Sequence, residues 1–415
     1  MSRESFRLGI MLAALTMIFV LSHAFRTTIA IAADPIALEF SAKASALAAV
    51  AGGFHLAFAA AQPVVGVALD RYGPKPTIAV AFVLSILGCA VSAMAPNIAI
   101  LILGQWLIGF GCAPALLAAM VFISRRYEAG RFAALSGLVL SVGGAGMLLT
   151  GTPLAWIIEF GSWRTGFLAL GLLSIISWLI VLILVDDLPE DRAAPQSLRA
   201  ATGGLLTVIR QPYAPGILCL AATSYAAFLA LRGLWLGPMF TERHDFSLVA
   251  AGNVVLAVSI AGMIGPFFFG RYDPGDRIRR NLIIGCSLAY VLLFAVHAIG
   301  SPANLDVALV VFNSAFAGYI TLQYADLRSA YPAEMTGRAL SVFTMAMFFG
   351  VAVMQWLSGI AAGLAPAFGI DPLRGALFSV SLVLGLGTFA YWLLPWPPTL
   401  KKQAQFKSIP QNAEE

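Results

Sequence analysis

Two arginines stand inside long apolar stretches, Arg26 and Arg232. Arginine stays protonated at any physiological pH, and its planar fork matches the oxygens of a carboxylate or a phosphate. His23 lies three residues before Arg26, on the same face of a helix, where it can bond a substrate or carry a proton. His55 is a second candidate proton site. Tyr225 and Trp235 lie seven before and three after Arg232, on its face of a regular helix. Gln62, Asn313, Tyr324 and Gln355 are polar groups within or near apolar runs, as are Asn253 and Gln323. Together these residues could bind a small anion. The candidate ligands are Arg26, Arg232, His23, Tyr225, Trp235, Gln62, Gln355, Asn313 and Tyr324. The competing expectation is structural: aromatics and amides on apolar helices often pack or bridge helices, and the arginines can pair with backbone carbonyls or with acids at helix ends. Those acids are few. Asp34 and Asp326 sit at the ends of their runs, and no Asp or Glu falls near the centre of one. A site built on the two arginines is therefore net positive when empty.

The elements that hold these residues follow from composition. The chain has 415 residues, 60% hydrophobic and 11% charged. Soluble domains run at ~45–50% and ~25%. That excludes a water-soluble globular protein, which needs more polar surface, and a disordered one, which needs more charge. A bilayer-spanning helix takes ~20 mostly apolar residues. Stretches without Asp, Glu, Lys or Arg cover 8–25 (continuing as 27–33), 44–69, 76–124, 132–158, 165–185, 211–231, 246–270, 281–305, 307–325, 339–370 and 375–400. The run 76–124 is too long for one span and breaks at Pro96-Asn97, a turn dipeptide. The total is twelve helical spans; the alternation of a β-barrel is missing. The first run lacks a cleavage pattern and is read as a span, not a signal peptide.

With the N-terminus inside, 19 Lys and Arg fall on the inner side and 4 on the outer. This places both termini in the cytoplasm and explains the net charge of +5 without nucleic acid. The polar stretch 187–213, with Pro189, Pro195 and Pro212, reads as a cytoplasmic linker with a short helix on the membrane. It separates an N-terminal half, 1–186, from a C-terminal half, 214–400, and 401–415 is a disordered cytoplasmic tail. Cys89, Cys112, Cys219 and Cys286 read as buried free thiols, because each lies in an apolar run without a Cys-x-x-Cys pair. No metal or cofactor is expected. The alanine-rich composition fits a bacterial inner membrane.

The halves repeat one plan. Asp70-Arg71 follows Arg26 by 44 residues, and Asp276-Arg277 follows Arg232 by 44. The loop after span two reads Gly66-Val67-Ala68-Leu69-Asp70-Arg71-Tyr72-Gly73-Pro74-Lys75. In residue types and position this resembles the Gly-x-x-x-Asp-Arg-x-Gly-x-Lys/Arg signature of the major facilitator superfamily. Gly270 to Arg280 is a degenerate second copy. Gly161-Ser162-Trp163-Arg164 and Pro332-Ala333-Glu334 with Gly337-Arg338 are also similar to that superfamily. The resemblance covers all twelve spans. It implies an all-α fold of two pseudo-symmetric six-helix halves with a site at their interface. It also implies a cytoplasmic latch at Gly66, Asp70, Arg71, Gly73 and Lys75. The physical reading of that loop is separate: Gly66 would let helix backbones approach closely, and Gly73 permits a tight turn.

An arginine in span one and another in span seven resembles the organophosphate:phosphate antiporters, where the pair clamps the substrate phosphate. The anion:cation symporters for sugar acids and glutamate also use a span-one arginine, so carboxylate and phosphate ester both stay open. Drug:proton antiporters carry an arginine in span four and a Gly-Pro motif in span five. Here Gln105 stands at the first position and Ser141 to Gly146 lacks the second. No ATP-binding P-loop, metalloprotease or nucleophile-elbow string occurs, so no enzyme is expected. The Gly-rich string from Gly385 lies in an apolar span without a preceding strand and carries nothing. The expectation is a monomeric secondary transporter of a small organic anion, coupled to a proton, a cation or a counter-anion. The alternatives are an exporter of neutral or cationic compounds and a sensor that binds without transport.

Overall fold

The computed structural model describes residues 3–127, 129–186, 205–271, 273–331 and 335–396. Most of the linker, 187–204, and the tail 401–415 lie outside the described residues, as do Pro332, Ala333 and Glu334. Residues 205–209 form a short helix before span seven.

Twelve described helices are long and apolar enough to cross a membrane. Spans one to six are Glu4–Phe25, Ala44–Leu69, Pro74–Ala93, Ile98–Arg126, Leu135–Phe160 and Trp163–Leu184. Spans seven to twelve are Ala214–Thr241, Leu248–Arg271, Ile278–Ile299, Ala303–Ala330, Arg338–Phe368 and Pro372–Leu393. Helices are the expected form, because a bilayer offers backbone groups no other hydrogen-bond partners. Side-chain caps open several of them. Asn97 accepts from the Ile100 N–H at 3.0 Å, Ser162 from Thr165 at 3.3 Å and Asp371 from Arg374 at 2.8 Å.

The repeat shows in the turns. Gly73 and Gly275 precede spans three and nine at φ +83° and +80°, a region that favours glycine. Even the degenerate second copy thus keeps its glycine where the backbone needs one.

Two boundaries differ from the charge-based expectation. Span one does not close at Asp34. It breaks at Arg26-Thr27 and resumes as Thr28–Phe40, with Asp34 and Pro35 inside. Span ten begins at Ala303, so Asp306 sits wholly buried in its first turn. A charged residue is a poor boundary marker when partners wait for it. Asp306 accepts from Ser301 and pairs with His244 at 2.7 Å. Cys219 is exposed, whereas Cys89, Cys112 and Cys286 are buried as expected. An apolar run fits a lipid-facing surface as well as a core.

Span two packs on span eleven, span five on span eight, and Thr28–Phe40 on span seven. These pairs form the seam between the halves. With twelve spans, the start of span one and the end of span twelve share one face, here the near face. The seam is stitched at mid-depth and towards the far face. There a Cβ on Gly237 would stand 1.8 Å from the Ala30 carbonyl oxygen, and one on Gly359 would stand 2.3 Å from the Ala48 Cβ. Thr152 donates to Asn253 at 2.6 Å, and Thr241 bonds Asp34. Towards the near face, a Cβ on Gly66 or Gly137 would meet nothing within 4 Å. The halves are closed on the far side and parted on the near side.

Candidate functional site

Spans one and seven cross backbone to backbone near their middle: a Cβ on Gly233 would lie 3.0 Å from the Arg26 carbonyl oxygen. From this crossing the two arginines diverge.

Arg26 is 6% exposed and sits at the break in span one. Its guanidinium carbon lies 4.7 Å from the Phe348 ring centre, 5.2 Å from Phe58 and 5.8 Å from Phe19. These rings come from spans eleven, two and one, so both halves enclose the charge. Polar contacts are few and long: Nη1 to His23 Nε2 at 3.4 Å and Nη2 to Ser22 Oγ at 3.4 Å. Nε has no partner, and no carboxylate stands within ion-pair distance among the described residues.

Arg232 is 1% exposed and well paired. Its Nε donates to Ser259 Oγ at 3.0 Å, and its Nη2 to the Met147 carbonyl at 2.8 Å, Ser259 Oγ at 2.8 Å and Thr150 Oγ1 at 3.3 Å. Met147 and Thr150 belong to span five and Ser259 to span eight, so Arg232 ties the halves together. Pairing with a backbone carbonyl is the structural alternative raised for it above. Only Nη1 is left without a partner. The arginines approach through Thr150, which also bonds Thr27 at 2.6 Å.

A π-helical turn, Leu231–Trp235, directs Arg232 this way. Pro238 lacks an N–H, so the Leu234 carbonyl loses its regular helical partner, and the turn widens upstream. The wider turn breaks the three-residue face expected for Trp235. Its Nε1 instead donates to Ser358 of span eleven at 2.9 Å, within the same half.

The other expected ligands fall into two groups. Tyr225 lies 5.7 Å ring to ring from Phe348, so it joins the Arg26 surround. Tyr324 is 37% exposed, stands near Tyr225 and Arg26, and donates to Met347 Sδ at 3.3 Å. Gln355 donates to the Leu229 carbonyl at 3.4 Å and faces His55, which stacks 6.0 Å from Phe348. Gln355 Oε1 and His55 Nε2 are both buried without a partner. Gln62 bridges spans two and four, donating to the Ala113 carbonyl at 3.4 Å. Asn313 is separate: it stands beside Tyr290 of span nine. Gln323 pairs with Ser224 inside the C-terminal half.

In the expected latch, Gly73 makes its tight turn, Arg71 is exposed and lies 5.2 Å from the Tyr72 ring centre, and Lys75 is half-buried. No backbone approaches Gly66, so the close helix approach expected there is not made in this state. The Asp70 side chain lies outside the described residues.

Residue-type reading missed Phe19, Phe58, Phe348, Thr150 and Ser259. Phe19 was findable: it lies seven residues before Arg26, two helical turns back on one face. Nothing in the sequence pairs Phe58 or Phe348 with Arg26.

The family model of the Major Facilitator Superfamily matches residues 15–355. The sialic acid transporter NanX of Escherichia coli (strain K12) is 20% identical over 326 residues, 77% of this chain and 76% of that protein. The multidrug resistance protein B homolog of Mycobacterium tuberculosis (strain ATCC 25618 / H37Rv) is 28% identical, over 84% of this chain and 68% of its own. Human monocarboxylate transporter 11 is 33% identical, over 37% of this chain and 33% of its own. Among solved structures, the nucleoside transporter NupG superposes with a TM-score of 0.75 at 16% identity, covering 94% of this chain and 98% of that one. A bacterial homolog of the human lysosomal transporter Spinster, inward-facing and unoccupied, gives 0.71 at 17%, covering 93% and 96%.

Proposed function

The chain belongs to the Major Facilitator Superfamily, and from that premise we propose that it is a secondary transporter of a small organic anion. One observation carries the reading: Arg26 is a buried cation at the seam with an unpaired Nε and no carboxylate partner among the described residues. Such a charge is costly in a membrane unless something meets it. An anion entering from the parted near side supplies the missing acceptors. Arg232 joins the clamp as the seam rearranges, its Nη1 being the donor still free. His23 and His55 are the candidate proton carriers, and the loop from Gly66 to Lys75 latches the near side when it closes.

The 19-to-4 charge bias supports a cytoplasmic near face, in a bacterial inner membrane. The state described is then inward-facing. A substrate that neutralises Arg26 lowers the energy of the closed states relative to the empty carrier, the difference any ligand-driven change requires. The substrates in two relatives' names, a sialic acid and a monocarboxylate, are anionic and agree with this reading.

The test is binding and flux. A native-state ligand raises the melting temperature by mass action. Organic anions are expected to stabilise the purified protein and to enter proteoliposomes, with both effects lost in Arg26→Gln. Parental transport in that variant would overturn the reading. A second reading, export of apolar neutral or cationic compounds, draws on the ring-lined surround and the likeness to the multidrug resistance protein B homolog. It predicts that such compounds stabilise the protein equally with and without Arg26.

A further inference from the structure

The anion reading leaves the substrate class open between sugar acids, phosphate esters and apolar acids. We infer that Arg26 takes a monocarboxylate whose body is a flat apolar ring. The inference rests on the reading of Arg26 as the anion site and narrows it.

The guanidinium has one edge, Nε and Nη2, whose partners are nothing and one long contact to Ser22. That edge accommodates the two oxygens of one carboxylate in a bidentate pair. Three phosphoryl oxygens need more donors. Arg232 already spends Nε and Nη2 on Ser259, Met147 and Thr150, so its Nη1 can add a single donor and no second free edge. One free edge calls for one carboxylate.

Rings wall the guanidinium. Phe58 and Phe348 lie 4.3 Å apart, and the row continues through Tyr225, 5.7 Å from Phe348. The row crosses from span two to spans eleven and seven, so it belongs to both halves. It offers mostly ring faces and edges, with His55 Nε2 and Gln355 Oε1 the unpartnered polar atoms described beside Phe348. A polyhydroxylated body would bury more hydroxyls against these rings than the few polar groups there can pair, which is unfavourable. A planar apolar ring would stack offset or edge-on against the same row. Among the described residues, Ser22, Tyr225 and Tyr324 bring hydroxyls to the surround. An aromatic acid thus satisfies the charge and the wall at once, and it touches both halves, as a substrate that drives their closure must.

The experiment uses the full-length protein, purified in detergent, with 3-phenylpropionate, its amide, gluconate and glycerol 3-phosphate as probes, followed by thermal shift and calorimetric titration. Expected is binding of 3-phenylpropionate at least about tenfold tighter than gluconate or glycerol 3-phosphate, no binding of the amide, and loss of binding in Arg26→Gln. Phe58→Leu and Phe348→Leu, which keep apolar bulk, should each weaken 3-phenylpropionate about tenfold. If gluconate or glycerol 3-phosphate binds in an Arg26-dependent way and 3-phenylpropionate does not, the ring is wrong and the anion site stands. If the amide binds as well as the acid and Arg26→Gln changes neither, the anion reading falls as well. No binding of any probe at millimolar concentration overturns the ring assignment.

Discussion

Two arginines of the same type at nearly the same depth have opposite energetics. Arg232 meets a backbone carbonyl and two hydroxyls, whereas Arg26 meets rings and two long polar contacts. Replacing Arg232 removes its bonds to the Met147 carbonyl, Ser259 and Thr150, and a hydrogen bond to a charged group contributes about 1.5–3 kcal/mol. Replacing Arg26 with an apolar side chain removes a buried charge that has no counter-ion, and cation–π attraction of about 0.5–2 kcal/mol offsets only part of that charge's cost. We therefore expect Arg232→Met to lower the melting temperature of the purified protein and Arg26→Met to raise it. A fall in both would show that the rings and His23 satisfy Arg26 fully. A loop acid gives a second residue-scale outcome. Arg279 donates to Asp273 at 2.7 and 2.6 Å and holds its carboxyl below the usual carboxylate range, with help from the Gly275 N–H. A lowered folded pKa contributes stability above the unfolded value and loses it as pH falls through the folded one. The melting temperature should drop on acidification below about pH 4, the ordinary range for Asp. Asp273→Asn should show a shallower drop, measured by melting curves across pH.

At the scale of elements, the seam depends on backbones coming close where side chains are absent. Gly359 of span eleven lies on Ala48 of span two, and Gly237 of span seven on Ala30. Gly363, four residues further along span eleven, meets nothing within 4 Å. A small-xxx-small pattern marks a surface able to pack closely, and only the neighbouring helix decides which residue does so. Gly359→Val should wedge the far side open. With Thr152→Cys as a reporter in a background free of native cysteines, a membrane-impermeant maleimide should label faster from the far side. Unchanged labelling would mean that the wedge is absorbed elsewhere. The π turn is the second element-scale lesson. Pro238 hints at irregular backbone, but a face drawn with 3.6 residues per turn carries Trp235 to the wrong neighbour.

At the scale of the molecule, a far side closed over a parted near side is one of the arrangements that alternating access needs. On the far face, Thr241 of one half bonds Asp34 of the other, and Glu242 stands next in the chain. Burial raises the Glu242 carboxyl above the usual range, and Asp34 and Asp371 add repulsion. Arg243 and Arg374 line the same cleft. Where opening returns Glu242 to water, the closed arrangement with its raised pKa binds the proton better, so closure gains as pH falls. Glu242→Gln should mimic the protonated state and slow far-side labelling at the Thr152→Cys reporter. Faster labelling would show that the glutamate charge stabilises closure through those arginines. How the far side opens decides whether Arg26 can pass an anion across.

The sequence alone determined the twelve spans, the repeat of two halves, the superfamily and the presence of two membrane arginines. Hydrophobic runs, charge and turn residues are local properties, and a bilayer turns them into helices with little ambiguity. The Arg26, His23 and Phe19 face is equally local, because helical spacing places all three together. Tertiary structure alone decided that Phe58 and Phe348 enclose Arg26, that Arg232 is paired across the seam, and that Asp306 is buried among partners. Those contacts join residues far apart in the chain, and one sequence does not say which faces meet. The seam meets where glycines and alanines allow close approach, and each arginine's environment follows from that docking.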